Sequence, residues 1–151
     1  MNDQRNGAMG RFAFDVELAN NADLILVQLG MLPPDKVRRI TTRGVVDTGA
    51  TLLILPESVV QKLGLLPAGT IDVRYADDRV ATRPAVGNIA VRLCGREKVF
   101  DGWVEPDRKD VLLGAIPLEG LDLLIDCKNQ RLVPRDPKTI VGDAGSSYEY
   151  P

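Results

Sequence analysis

The stretch GVVDTGATLLIL, residues 44–55, places one carboxylate between two apolar runs. Two valines precede Asp47, and the run TLLIL follows Ala50. A charge between two buried strands is costly unless it is paired or hydrogen-bonded. Aspartate is also a common turn residue, because its side chain accepts hydrogen bonds from nearby backbone N–H groups. The stretch therefore leaves two alternatives for Asp47, a turn residue or a functional carboxylate.

Length and composition predict one globular domain, since the 151 residues are 44% hydrophobic. The net charge of −2 combines both signs, so we expect neither a nucleic acid nor a membrane as partner. No apolar run reaches the ~18 residues of a membrane span, and the first twelve residues contain no apolar signal core. We therefore expect a cytoplasmic protein.

The chain contains no histidine. This excludes Ser-His-Asp and Cys-His catalysis and any histidine-rich metal site. No glycine-rich phosphate loop of the Walker type is present either. Carboxylates remain as the main acid–base groups, and we expect no metal and no cofactor.

The first half of the chain alternates strand patterns with turn signals. Residues 12–19 and 23–30 predict two strands of a hairpin that turns at 20–22. Residues 36–47 predict a further extended segment. A short strand follows Asp47, and PESVVQKLG, residues 56–64, predicts a short helix that ends at a glycine.

The second half is again rich in β-forming residues. Residues 70–93 predict two strands that bend at 76–78, and 97–106 predict another strand. The segment 110–114 predicts a strand that leads into a short helix near 117–123, and 129–134 predict a last strand. We therefore expect an all-β, barrel-like domain with one or two short helices over residues 11–136. Flexible tails are expected at 1–10 and 137–151.

Three features, taken together, resemble the retropepsin-like aspartic proteases. The run VVDTGATLLIL resembles their catalytic loop, which has apolar residues, Asp, Thr or Ser, Gly and Ala. Their second signature, two apolar residues before a glycine and a short helix, is matched by Leu112, Leu113 and Gly114. The family's flap, a β-hairpin that covers the substrate, is matched in position by Tyr75, Ala76, Asp77, Asp78 and Arg79. The two aspartates depart from the glycine-rich tips of retroviral flaps.

The resemblance implies a retropepsin-like closed β-barrel half-domain that is active as a two-fold dimer. In that family two aspartates share one proton and hold the water that attacks a peptide bond. This chain has a single Asp-Thr-Gly triplet, so each of two identical chains would supply its Asp47. The expected function is a homodimeric aspartic endopeptidase that acts on a peptide or protein. The alternatives are a catalytically inactive dimerisation or peptide-binding module of the same fold, and a β-barrel adaptor in which Asp47 is only a turn residue.

The resemblance also gives roles to the neighbours of Asp47. Thr48 would bond across the two-fold axis, Gly49 would leave room for the water and the partner loop, and Ala50 would keep the turn small. Tyr75 is either a substrate contact or a cross-strand packing residue. Substrate pockets or the plain core would be lined by Ile54, Val80, Leu113 and Ile116.

Overall fold

Six strands close into a barrel in the computed structural model, which describes residues 12–145 of the chain. The strands within this range are β1 Ala13–Asn20, β2 Arg39–Val46, β3 Leu53–Pro56, β4 Pro67–Arg74, β5 Val80–Leu93, β6 Arg96–Glu105, β7 Val111–Leu113, β8 Leu123–Asp126 and β9 Arg131–Pro134. The α-helices there are α1 Asn21–Gln28, α2 Glu57–Leu63 and α3 Ala115–Gly120. The predicted N-terminal tail, 1–10, lies outside the described residues.

The barrel closes because β1 pairs antiparallel with both β2 and β5. The ring continues from β2 through β7, β3 and β6 back to β5. Strand β4 pairs with β5 outside this ring and forms a long hairpin with it, while β8 and β9 form a separate two-stranded sheet. The all-β, closed-barrel prediction is confirmed.

The barrel interior is filled by branched aliphatic side chains from several strands. In β1 the alternation of the sequence turns Val16 and Leu18 inward, and both are fully buried. Leu53 and Leu113 are fully buried beside them in the same cluster. A second, smaller cluster joins Ile54, Val73, Trp103 and Leu112. This second cluster packs the β4–β5 hairpin against the strands that flank Asp47.

The prediction of a strand at 23–30 is wrong, because residues 23–28 belong to α1 and residues 29–30 form the turn after it. The Asn20 side chain caps this helix by accepting a hydrogen bond from the Asp23 backbone N–H at 3.2 Å. Leu24 and Val27 lie one turn apart and pack on the buried cluster of Ala19, Val37 and Ala90. The cap and this one-sided packing outweigh the apolar content that favoured a strand. Strand β1 consequently pairs with β2 and β5.

The other predicted helices are present with adjusted bounds. Helix α2 ends at Gly64, whose φ of 61° is the left-handed conformation predicted for that glycine. Helix α3 starts and ends earlier than the predicted 117–123, because Gly114 stands at its N-cap and the chain turns at Asp122, φ 57°. No helix within residues 12–145 is long and apolar enough to cross a membrane.

The described part of the C-terminal segment is hydrogen-bonded to the barrel. The backbone N–H of Val141 donates to Asp122 Oδ2 at 2.9 Å, and Arg96 Nη2 donates to the Thr139 carbonyl at 2.7 Å. Arg135 Nε donates to Asp122 Oδ1 at 2.6 Å. The bond from Val141 and the pairing with Arg135 hold the pKa of Asp122 below its usual value. Residues 135–141 are thereby joined to β6 and to the end of α3.

Candidate active site

Asp47 lies in a tight turn directly after β2. Its backbone N–H donates to the Leu113 carbonyl at 3.0 Å, and its carbonyl accepts from the Ala50 N–H at 3.2 Å. Asp47 is half-buried as a residue, and its Oδ1 accepts from the Gly49 N–H at 3.0 Å. The turn therefore fixes the direction of the carboxylate next to Val46, the buried last residue of β2.

Gly49 and Thr48 occupy different environments in this turn. A Cβ atom on Gly49 would lie 3.1 Å from Asp47 Oδ1, so the glycine leaves space beside the carboxylate. Thr48 is exposed and lies with α3 and β8 around a small groove of about 300 Å³. In the single chain Thr48 therefore faces away from the barrel core.

The Leu112-Leu113-Gly114 motif supports the Asp47 loop through backbone hydrogen bonds. Gly114 N–H donates to the Leu52 carbonyl at 3.0 Å, and Ala115 N–H donates to the Ala50 carbonyl at 2.9 Å. A Cβ atom on Gly114 would lie 2.5 Å from the Leu52 oxygen and 2.6 Å from the Ala50 oxygen, closer than any real contact. Only glycine allows this approach, and two segments far apart in sequence therefore meet at Asp47.

A cleft of about 770 Å³ opens beside Asp47, between its loop and the β4–β5 hairpin. Its apolar wall is the second hydrophobic cluster, with Ile54, Val73, Trp103 and Leu112. This volume lies in the range of ordinary small-molecule and peptide sites. The cleft is also lined by charged side chains of both signs, including Arg83 and Glu105.

Some of the predicted site residues lie together in this cleft and others do not. The predicted residues that line it are Asp47, Gly49, Ala50, Ile54, Tyr75, Ala76 and Leu112. Leu113 is fully buried in the barrel core. Val80 pairs with Arg74 next to the hairpin turn and is 56% exposed, while Ile116, on α3, is 48% exposed. Neither Val80 nor Ile116 lines the cleft of the single chain, because each side chain is directed to solvent.

The predicted bend at 76–78 is confirmed as the turn of the β4–β5 hairpin. Tyr75 and Arg79 close the turn with a backbone bond of 2.8 Å, and Asp78 adopts a φ of 65°. The Asp77 carboxylate accepts from the Arg79 N–H at 3.1 Å. Both aspartates therefore suit the turn, because Asp tolerates left-handed backbone and bonds to nearby N–H groups.

A side-chain network centred on Glu105 was not predicted from the sequence. Glu105 Oε1 accepts from the Tyr75 hydroxyl at 2.6 Å and from Trp103 Nε1 at 3.1 Å. Arg83 Nε lies 3.1 Å from Glu105 Oε2 and donates to the Tyr75 oxygen at 2.8 Å. Hydrogen bonding to Tyr75, followed by the charge of Glu105, raises the pKa of Arg83. The alternation of β6 puts residues 103 and 105 on one face, which is the only sequence signal for this group.

Within residues 12–145, no cluster of three or more cysteine, aspartate or glutamate side chains is placed to share a metal ion. Glu105, Asp72 and Asp47, which line the cleft, each accept a hydrogen bond from a protein donor. Asp72, for example, accepts from the Thr82 hydroxyl at 2.8 Å.

A sequence profile described as "Aspartyl protease" matches residues 36–115, more than half of the chain. The match contains both the Asp47 loop and the Leu112-Leu113-Gly114 motif. The chain belongs to the aspartyl protease family. Among curated protein sequences, none matches this aspartyl protease family member significantly.

Solved structures share the retropepsin-like fold of this family member. The EIAV protease complexed with the inhibitor HBY-793 is 14% identical with a TM-score of 0.51, over 74% of this chain and 88% of that one. A retropepsin-like aspartic protease from Rickettsia conorii is 22% identical with a TM-score of 0.43, over 77% and 87% of the two chains. A foamy viral protease-reverse transcriptase is 18% identical with a TM-score of 0.41, over 49% of this chain and only 9% of that one.

Proposed function

We propose that the chain is a homodimeric aspartic endopeptidase in which two Asp47 carboxylates, one from each chain, activate a water molecule. The observation that carries this proposal is the half-buried Asp47, fixed at the edge of the cleft by the Leu113 carbonyl and the Gly49 N–H. Membership of the aspartyl protease family supports it.

The chemistry needs two carboxylates that share one proton. Like charges so close cannot both ionise easily, so one carboxylate takes a proton from the water while the other donates a proton to the peptide carbonyl oxygen. The water oxygen bonds to the carbonyl carbon, and the C–N bond then breaks as the nitrogen takes up a proton. No covalent enzyme intermediate, metal or cofactor is needed for this step.

The surface beside Thr48 supports a two-fold dimer. The small groove there is bordered by α3 and β8, and nearby Leu124 and Ile116 are 49% and 48% exposed. Each strand of the β8–β9 sheet has one strand partner among residues 12–145, which leaves outer edges open for a second chain. Strand β1 already pairs on both sides. The candidate interface segments are residues 12–19, around β1, and residues 130–134, around β9, and the open edges favour the second.

The β4–β5 hairpin is proposed as the flap over an extended peptide. Within the described range β4 pairs only with β5, so its other edge can accept main-chain hydrogen bonds from a substrate. Alternate substrate side chains would then face the apolar wall near Ile54 and Leu112. Val80 and Ile116 remain proposed contacts only for a dimer, since neither lines the cleft of one chain.

A second candidate function is a peptide-binding or dimerisation module without catalysis. The observation that favours it is the hairpin tip, where Asp77 and Asp78 stand and where Tyr75 is hydrogen-bonded to the wall residue Glu105. A flap held in this way could bind a peptide without closing over Asp47.

The decisive experiment compares wild type, Asp47→Asn and the matched control Asp101→Asn on a peptide library from pH 3 to pH 8, with cleavage read by mass spectrometry. Asp101 is followed directly by Gly102, without the middle threonine of the Asp47 triplet, and it is exposed on β6. We expect wild type and Asp101→Asn to cleave the same peptides. Asp47→Asn should be slower by about a hundredfold or more, because it lacks the acid–base group. Cleavage by Asp47→Asn at the wild-type rate would refute the proposal.

The dimer requirement is tested by mixing chains. An excess of Asp47→Asn added to wild type should suppress cleavage, because mixed dimers contain one carboxylate per site. An equal excess of Asp101→Asn should leave cleavage unsuppressed. If the inactive chain leaves activity unchanged while sedimentation shows mixed dimers, two Asp47 residues are not required.

A further inference from the structure

The end of the β4–β5 hairpin projects beyond the barrel. Pairing of β5 with β6 begins only at Ala85, opposite Trp103. From Arg74 to Arg83 the hairpin strands pair only with each other in the described structure. An isolated two-stranded hairpin is marginally stable in water. Side-chain contacts therefore have to set the position of this segment relative to the cleft.

Those contacts converge on Glu105, the last residue of β6. The Tyr75 hydroxyl from the end of the hairpin donates to Oε1 at 2.6 Å, and Arg83 from β5 lies 3.1 Å from Oε2. The side chains of Glu105 and Arg83 are only 17% and 26% exposed. Charge-assisted bonds in such a partly buried site are stronger than those of surface ion pairs. One carboxylate thus connects both hairpin strands to the cleft wall.

Tyr75 transmits this connection to the turn. Its ring lies under the guanidinium of Arg79, 4.6 Å from the ring centroid, and its backbone N–H closes the turn on the Arg79 carbonyl. Trp103 Nε1 donates to the same Glu105 oxygen as Tyr75 and belongs to the apolar cluster that contains Ile54. A displacement of Glu105 would therefore move the hairpin turn relative to the wall next to Asp47.

We propose that Glu105 is a positioning residue for the substrate, because its carboxylate holds the hairpin turn against the cleft wall through Tyr75 and Arg83. The expected consequence for cleavage rests on the proposed function. The Asp47 loop is held separately by two backbone hydrogen bonds, from the Asp47 N–H to the Leu113 carbonyl and from the Gly114 N–H to the Leu52 carbonyl. Removing the Glu105 charge should thus weaken substrate binding and leave the chemical step nearly unchanged.

Hydrogen–deuterium exchange of the free protein tests the hairpin without any substrate. The variants are Glu105→Gln and Tyr75→Phe, and the control is Glu97→Gln, at the other end of β6, where Glu97 pairs with Arg92 at 3.0 Å. We expect amides of residues 70–83 to exchange about threefold to thirtyfold faster in both variants and unchanged in the control. Exchange at the control rate in both variants would overturn the proposal.

Steady-state kinetics then separates positioning from general structural loss. For Glu105→Gln we expect KM to rise about threefold to tenfold with kcat within about twofold of wild type. Tyr75→Phe should behave similarly, and Glu97→Gln should match wild type. Faster hairpin exchange with an unchanged KM would mean that Glu105 stabilises the fold only, and would overturn the proposal.

Peptide binding distinguishes failure of this inference from failure of the protease proposal. Trp103 is the sole tryptophan, so its emission reports on the Glu105 network. In the Asp47→Asn background, peptide titration should give a Kd that Glu105→Gln raises about threefold to tenfold. If wild type binds but never cleaves, and Glu105→Gln still raises Kd, only the protease proposal fails. A wild-type protein that neither binds nor cleaves peptides overturns both.

Discussion

A methyl group at position 114 should separate the two segments that meet at Asp47. Gly114 has φ −85° and ψ −169°, which alanine adopts without backbone strain. The penalty of Gly114→Ala therefore comes from contact alone. The new Cβ would lie 2.5 Å from the Leu52 oxygen and 2.6 Å from the Ala50 oxygen. Both are backbone atoms, so relief requires a shift of the Asp47 loop or of β7.

The magnitude follows from two contributions. Forcing an extra carbon into a packed site costs about 1–3 kcal/mol. The same shift weakens the bonds from Gly114 N–H to Leu52 and from Ala115 N–H to Ala50, each contributing about 0.5–1.5 kcal/mol. We therefore expect the free energy of unfolding to fall by about 2–6 kcal/mol, and the Tm by about 4–24 °C for a chain of this size.

Thermal unfolding followed by circular dichroism measures this loss, at one protomer concentration because dimerisation would shift Tm. The control is Gly142→Ala, where a Cβ would meet nothing within 4 Å. Its Tm should stay near that of wild type, as most exposed substitutions change stability by less than about 0.5 kcal/mol. If the Tm of Gly114→Ala also equals that of wild type, the close approach at Gly114 does not constrain the Asp47 loop.

Two further predictions concern the charged and polar anchors of the fold. Asn20→Ala should lower the free energy of unfolding by about 2–4 kcal/mol, measured by urea titration. The substitution removes the α1 cap, and it leaves the Leu63 carbonyl without the Asn20 Nδ2 donor that lies 2.8 Å away. The control is Asn129→Ala, in an exposed turn. Stability should also fall in acid. Hydrogen bonds from Arg38 to Asp23, and from Val141 to Asp122, hold both aspartate pKa values below 3.8, so the folded state binds fewer protons than the unfolded state. The contribution of the two aspartates to folding stability is complete above about pH 4 and is lost as the pH falls through their lowered pKa values. The same urea midpoint at pH 7 and at pH 3 would contradict this prediction.

Features decided by neighbouring residues could be predicted from the sequence. The turn at Asp47, the Gly64 cap and the bend at 76–78 depend on turn and capping residues within a few positions. Helix α1 could not be predicted in this way, because residues 23–30 are apolar enough for a strand. Its helical state depends on Asp23, which accepts from Arg38 Nε at 2.9 Å, and on packing against the cluster that contains Ala90 of β5.

The Glu105 network shows the same limit at the cleft. Alternation along β6 places Trp103 and Glu105 on one face, but no local pattern indicates that this face meets Tyr75. That contact exists because β5 pairs with β4 on one side and with β6 on the other. This strand order brings the Tyr75 hydroxyl to 2.6 Å from Oε1 of Glu105, thirty positions later in the sequence. Side-chain pairs of this kind follow from the strand order of the whole barrel.

The cleft is thus held by two independent sets of bonds. Backbone bonds from Leu113 and Gly114 fix the Asp47 loop, whereas side chains around Glu105 fix the hairpin. The sets share no hydrogen bond, and their link is the apolar cluster in which Trp103 packs with Ile54 and Leu112. Changes near Gly114 should act mainly on kcat and changes at Glu105 mainly on KM. A peptide-binding module has no kcat, so for that candidate function only the effect of Glu105 on peptide binding would be measured, whereas an aspartic protease would show both effects.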